Sequence, residues 1–187
     1  SVSLDTKNGE LWVANFGGHS ATAYAIDAAG DAPPLRTLRG APASEPSLMI
    51  GNPGALTYDS KREEILVPNC VAHPQIAVFA RSADGNAPRT RAIEGQDTML
   101  GRTMHGIDYD EGRDEIVVPQ QFGQGNIVFK AGSNGETPPE RVIRGSKTRL
   151  IALDRVAVDH VNGEYIVPEG GEVLVFPRDA NGDVAPA

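Results

Sequence analysis

Two histidines recur at matched spacing: His19 lies four residues after Asn15, and His73 lies four residues after Asn69. Gln124 holds the same place after Gln120, and Glu169 closes a fourth run of the same kind. With His105, these side chains form the set from which a transition metal could be held. Neutral imidazoles on neighbouring loops suit zinc or copper and leave one position open for water or substrate. A centre built on His19, His73 and His105 would support lyase or hydrolase chemistry, by activating water or polarising a carbonyl. The single cysteine, Cys70, and Glu169 are expected near the same rim.

A second set is acidic. An Asp is followed five residues on by a Glu in four places: Asp5 and Glu10, Asp59 and Glu64, Asp110 and Glu115, Asp159 and Glu164. Further acids punctuate later turns, among them Asp27, Asp31, Asp84, Glu136, Asp179 and Asp183. Calcium would need six to eight such oxygens around one ion, whereas these are spread one cluster per unit. The expectation is therefore that most of them accept hydrogen bonds from their own turns. Arg36, Arg91 and Arg141 each stand four residues before a Gly, which reads as a solvated rim on an outer strand that discourages edge-to-edge pairing. A bridge from each to an acid of the neighbouring unit is the alternative. No Gly-x-Ser-x-Gly elbow, phosphate-binding Gly-rich loop or His-Glu-x-x-His helix occurs.

The elements that must position these groups repeat about every fifty residues, the period of a stacked or circular repeat architecture. Units fall near residues 1–50, 51–100, 101–150 and 151–187. Each reads as short strands A to D. Strand A ends on the Asp. Strand B is LWVAN, ILVPN, IVVPQ or YIVPE, and strand C is of the IAVF type. Strand D is RTLRG, RAIEG or RVIRG, and the last unit stops before one. Turns with Asn-Gly or Asp-Gly separate the strands, as tight antiparallel connections require. Four antiparallel strands per unit, repeated around an axis, predict an all-β propeller with about four four-stranded blades, the last incomplete. In that arrangement the A–B and C–D turns share one face. The B–C loops and the D-to-A links share the other, so Asn15, His19, Asn69, His73, His105, Gln120, Gln124 and Glu169 gather on one face and His160 falls on the opposite one.

The lead-in NPGALTYD, the strands LWVAN and RVIRG, and the run IAVFARSADGN resemble the NHL-type propeller family over essentially the whole chain. That resemblance implies a ring of six blades, roughly 300 residues at this period. The chain then reads as a segment of a longer parent, with a ring completed by two chains, or closed by four blades, left open as alternatives. Some members of the family, the peptidyl-hydroxyglycine amidating lyases among them, bind a catalytic metal with histidines at the central channel. The resemblance implies the same option here without assigning ligands. It also implies a periplasmic or extracellular location.

Composition narrows the partners. A net charge of −8 opposes the clustered basic surface that nucleic acid requires. No stretch approaches the 18 apolar residues of a membrane-spanning helix. The functional expectation is a non-catalytic binding or scaffold module, recognising a protein or other ligand on the face of the B–C loops and belonging to a larger assembly. The alternative is the metal-dependent lyase or hydrolase; a third reading is a propeller stabilised by calcium on the acidic turns.

Overall fold

The computed structural model describes residues 1–70 and 73–187. Among the described residues, fifteen strands form four antiparallel sheets, each a meander in sequence order. The first blade comprises β1 (Val2–Asp5), β2 (Glu10–Asn15), β3 (Ser20–Ala25) and β4 (Arg36–Leu38). The second comprises β5 (Thr57–Asp59), β6 (Glu64–Asn69), β7 (Gln75–Ala80) and β8 (Arg91–Glu94). The third comprises β9 (Asp108–Asp110), β10 (Glu115–Gln120), β11 (Gly125–Lys130) and β12 (Arg141–Arg144). The fourth has three strands: β13 (Ala157–Asp159), β14 (Glu164–Glu169) and β15 (Glu172–Pro177). The predicted strands A to D are these elements, and the incomplete last blade is present as expected.

Strands B and C of an inner blade are covered on both faces, which is why they read as near-continuous apolar runs and not as an alternation. Ile76, Ala77, Val78 and Phe79 of β7 are all fully buried. Their odd and even residues serve different neighbours. Ala77 and Phe79 join Trp12, Ala21, Ala23 and Leu38 in a core between blades one and two. Ile76 and Val78 join Ile116, Val118, Ile127 and Phe129 in a core between blades two and three. A third core, around Val117, Val128, Tyr165, Val167 and Phe176, joins blades three and four. No described apolar cluster joins blade four to blade one.

Polar contacts repeat with the same period. The C–D turns of blades two, three and four each clip onto the outer strand of the blade before. Thr37 O accepts from Gly85 N, Ala92 O from Gly135 N and Val142 O from Gly182 N, at 3.0, 2.7 and 2.7 Å. Turn acids extend the clip: Asp84 accepts from Thr37 N, Glu136 from Gln96 N and Asp183 from Lys147 N. Two short 3-10 turns, Gln96–Thr98 and Ser146–Thr148, occupy D-to-A links, a feature the repeat pattern did not announce.

The arginines correct one expectation. Arg36, Arg91 and Arg141 do not form a free solvated rim, nor do they reach acids of the next blade. Each crosses strand C to the Glu of its own blade: Arg36 to Glu10 at 2.5 Å, Arg91 to Glu64 at 2.5 Å and Arg141 to Glu115 at 2.6 Å. The register explains the choice. Arg91 pairs with Val78, which pairs with Leu66, two residues from Glu64 and on the same face of the sheet. An arginine there can lie along the blade and bury its stem while its fork meets the carboxylate.

Candidate functional site

The face of the A–B turns is acidic in sequence, and the acids that end strand A are occupied. Asp5, Asp59 and Asp110 are buried. Each accepts from turn amides three residues on, at Asn8, Arg62 and Arg113, so the local-turn expectation holds. Arginines from elsewhere then reach them. Arg178 of blade four meets Asp110 of blade three at 2.9 Å, and Arg81 of blade two meets Glu10 of blade one at 2.9 Å. Between blades two and three, where the equivalent position is Ala131, Arg62 spans Asp59 and Asp114 at 2.7 and 2.6 Å. Hydrogen bonding to Arg62 is the main cause that holds the Asp114 carboxyl down at about 2. Each latch joins two blades. Among the described residues, no group of three or more His, Cys, Asp or Glu is placed to hold one metal ion.

On the opposite face, the polar residues that close strand B tie down neighbouring segments. Asn15 accepts from Gly18 N within its own loop. Asn69, fully buried, donates to Leu48 O. Gln120, also buried, accepts from Gly101 N, and Glu169 accepts from the amides of Ile151 and Ala152. Gly51 shows how tight this packing is: it sits at φ +57°, and a Cβ there would lie 1.9 Å from Asn69 Oδ1.

His19 and Gln124 share a left-handed backbone, with φ of 47° and 51°, and a common task. The His19 ring meets Gly51 O at 2.9 Å, and Gln124 donates to Ile151 O at 3.3 Å, the matching carbonyl of a later repeat. His73 breaks the pattern; it is exposed and lies 3.3 Å from Glu94. His105 faces Asp154 and Cys70. The three histidines proposed as metal ligands therefore have three separate sets of partners. His160 sits among the A–B turns, 3.8 Å from Asp110, on the face expected for it.

What does converge is a chain of side chains that the sequence reading did not assemble. Cys70 Sγ lies 2.9 Å from His105 Nε2, and Asp154 bonds His105 Nδ1. Asp154 fixes the proton on Nδ1, which leaves Nε2 to accept the thiol S–H. The order is that of a nucleophile, a base and the group that orients it. The thiol itself is only 1% exposed. Burial is the main reason its pKa is pushed up, and the Asp154 charge adds to this against one backbone hydrogen bond from Met104. At neutral pH the thiol is thus held in its neutral form beside the imidazole.

His105 and Asp154 line a recess of about 330 Å³ with Ser1, Phe16, Gly54 and Arg155 at the channel mouth. The sequence held a signal for Asp154. Gly54, His105 and Asp154 each stand five residues before the Asp that ends strand A, so one repeat slot supplies all three. A Cβ at Gly54 would lie 3.0 Å from His105 Cα, so the slot packs blade against blade.

A larger groove of about 670 Å³ opens between blades three and four and includes Gln124, Arg144, Arg149, Glu169 and Glu172. The loops and links of this face expose apolar side chains, Phe16 at the recess and Ile151 at the groove, and also Leu48, Met99 and Phe122, the last 80% exposed. Trp12 is instead fully buried, with the Arg36 guanidinium 5.2 Å above its ring.

No protein-family model matches the chain, and no curated protein matches it. Among solved structures it is similar to hydrazine synthase from Kuenenia stuttgartiensis, with 13% identity and a TM-score of 0.67. The match covers 97% of this chain and 46% of that one, so the chain spans about half the length of this neighbour. At that identity the likeness shows the fold alone, and it agrees with the propeller arrangement of the four sheets.

Proposed function

We propose that this chain is a non-catalytic binding and scaffold segment of an NHL-type propeller, which holds a protein or peptide on the face of its B–C loops as part of a larger assembly. One observation carries the reading. On that face Asn15, Asn69, Gln120, Gln124 and Glu169 brace the loops and links, while Phe16, Leu48, Met99, Phe122 and Ile151 are exposed to solvent. Exposed aromatic and aliphatic anchors beside a polar recess are the composition of a protein-binding patch. On the opposite face Glu10, Asp59, Glu64, Asp110, Asp114 and Glu115 are already paired to arginine.

Photo-crosslinking residues placed at Phe16 and Phe122 in native cells test this. A partner should be captured there and not from Val161, which is exposed on the other face. Equal capture from both faces would refute the reading. The proposal includes a periplasmic or extracellular location, which cell fractionation tests. A second copy of the chain as the partner would show as a dimer mass in solution. The metal-dependent lyase or hydrolase, with zinc or copper on His19, His73 and His105, has no specific observation among the described residues in its favour. The same holds for calcium on the acidic turns.

A further inference from the structure

We infer that a cleft between blades two and three, on the face of the B–C loops, binds a carboxylate on an aliphatic stem, supplied by an acidic side chain of a protein partner. For the source of the carboxylate this rests on the reading of that face as a protein-binding surface; the cleft itself is tested without it. Both flanking blades have all four strands.

The cleft has a volume of about 30 Å³ and is lined by Met99, Gln120, Gly123, Ile127, Val142 and Arg144, with Gly125 at its floor. That is room for roughly two water-sized groups, the size of the two oxygens of a carboxylate. Two of the lining side chains are donors without an acceptor. Gln120 is only 3% exposed. Its Oε1 accepts from Gly101 N, which fixes the orientation of the amide, and its Nε2 has no hydrogen-bond partner among the described residues. A buried N–H left unpaired is costly, so it points to a ligand that accepts. The Arg144 guanidinium likewise has no hydrogen bond or ion pair among the described residues. Met99, Ile127 and Val142 offer apolar walls for the stem that carries the carboxylate.

The register aims Arg144 at the cleft. Arg144 lies opposite Gly125, and Val142 lies opposite Ile127. Ile127 belongs to the core between blades two and three, so Arg144, on the same side of the sheet, turns toward blade two. Gly125 makes room for it: a Cβ there would lie 3.0 Å from Arg144 Cβ. Ser20, Gln75 and Glu172 hold the matching position in the other blades. Blade two carries the same place with its charge reversed. Glu94 stands where Arg144 does, opposite Gln75. Its carboxylate is held by Arg89 at 2.9 and 3.0 Å, and Arg89 also donates to Gln75. There the fold supplies both the acid and the arginine. In blade three Pro139 matches Arg89 and Arg144 replaces the acid, so the blade presents donors and the carboxylate comes from outside. A cationic ligand would meet Arg144 with like charge and be rejected.

The test titrates the full chain with butyrate and with its neutral isostere butyramide, followed by amide NMR. Butyrate should give saturable shifts at Gly101, Gly123, Gly125 and Val142 with a millimolar Kd, and butyramide none. Arg144→Gln should weaken butyrate by about tenfold, the worth of one charge-assisted pair discounted for solvent exposure. This variant should melt with the wild type, since the guanidinium it removes has no partner. Gln120→Glu keeps an acceptor for Gly101 N, as Glu169 does for its own link, and should abolish binding through like charge. The peptide acetyl-Leu-Glu-Leu-amide should bind more tightly than butyrate, because its leucines add apolar contact; the reverse order would make a free small carboxylate the ligand and overturn the protein source. Absence of saturable shifts, equal binding of butyramide, or butyrate affinity unchanged in Arg144→Gln would overturn the site. Capture of a partner at Phe122 without butyrate binding would sink the cleft alone. Butyrate binding without capture would sink the reading of the face, and with it the protein source, while the cleft stands.

Discussion

Replacing Arg141 with methionine removes a guanidinium and keeps much of the stem, so it isolates the charge pair from the packing. The structure fixes what is lost. Arg141 meets both oxygens of Glu115, at 3.1 and 2.6 Å, and also bonds the Tyr165 hydroxyl and Arg178 O at 3.0 Å each. The Glu115 side chain is only 4% exposed, so water cannot replace these partners. Removing one member of such a buried pair costs about 3–5 kcal/mol. Lys130 still meets Glu115 at 2.9 Å and is half exposed, which places the expected loss near the lower end, about 3 kcal/mol. For a chain of this length that corresponds to a fall in Tm of about 6–12 °C.

Thermal unfolding followed by circular dichroism at fixed scan rate reads the loss. Its pH dependence reads the cause. Burial by itself raises the Glu115 pKa, but the hydrogen bonds and charges of Arg141 and Lys130 outweigh it and hold the folded value below that of an ordinary glutamate. A lowered folded pKa means that the pair stabilises fully above the ordinary carboxylate value. The contribution disappears as pH falls through the folded value. The gap between wild type and Arg141→Met should therefore be largest near neutral pH and close on acidification. A variant that melts within about 2 °C of wild type at pH 7, or a gap that does not narrow in acid, would show that the pair is not what fastens the outer strand.

Two further outcomes follow from the same geometry. Asp114 should titrate near 2 by carboxyl NMR and return toward the ordinary aspartate range in Arg62→Ala; stability from this latch, full above the ordinary value, is lost as pH falls toward 2. Cys70, buried against His105, should react with a thiol reagent at pH 8 far more slowly in the native protein than after unfolding in guanidinium, and rapid native labelling would contradict a buried neutral thiol.

The fold was legible because repetition makes each weak strand signal appear several times. A run such as ILVPN alone is ambiguous between buried strand and buried helix; set beside LWVAN, IVVPQ and YIVPE, between matched turns, it is a strand. The same alignment sorted side chains onto two faces, and His19, Gln124 and His160 lie on the faces it assigned.

Sequence by itself determined the period, the strands, the incomplete last blade and which residues share a face. Only the tertiary structure decided what those residues touch. Strand pairing is dictated by local pattern, whereas side-chain partners depend on how sheets twist and stack on their neighbours. Thus Arg91 chose Glu64 across its own sheet, and Arg62 stood in for the cation that Ala131 does not provide. Asp154, which shares only a repeat slot with His105, closed on it across forty-nine residues of chain. These contacts join residues dozens of positions apart through angstrom-scale geometry that a one-dimensional pattern does not carry.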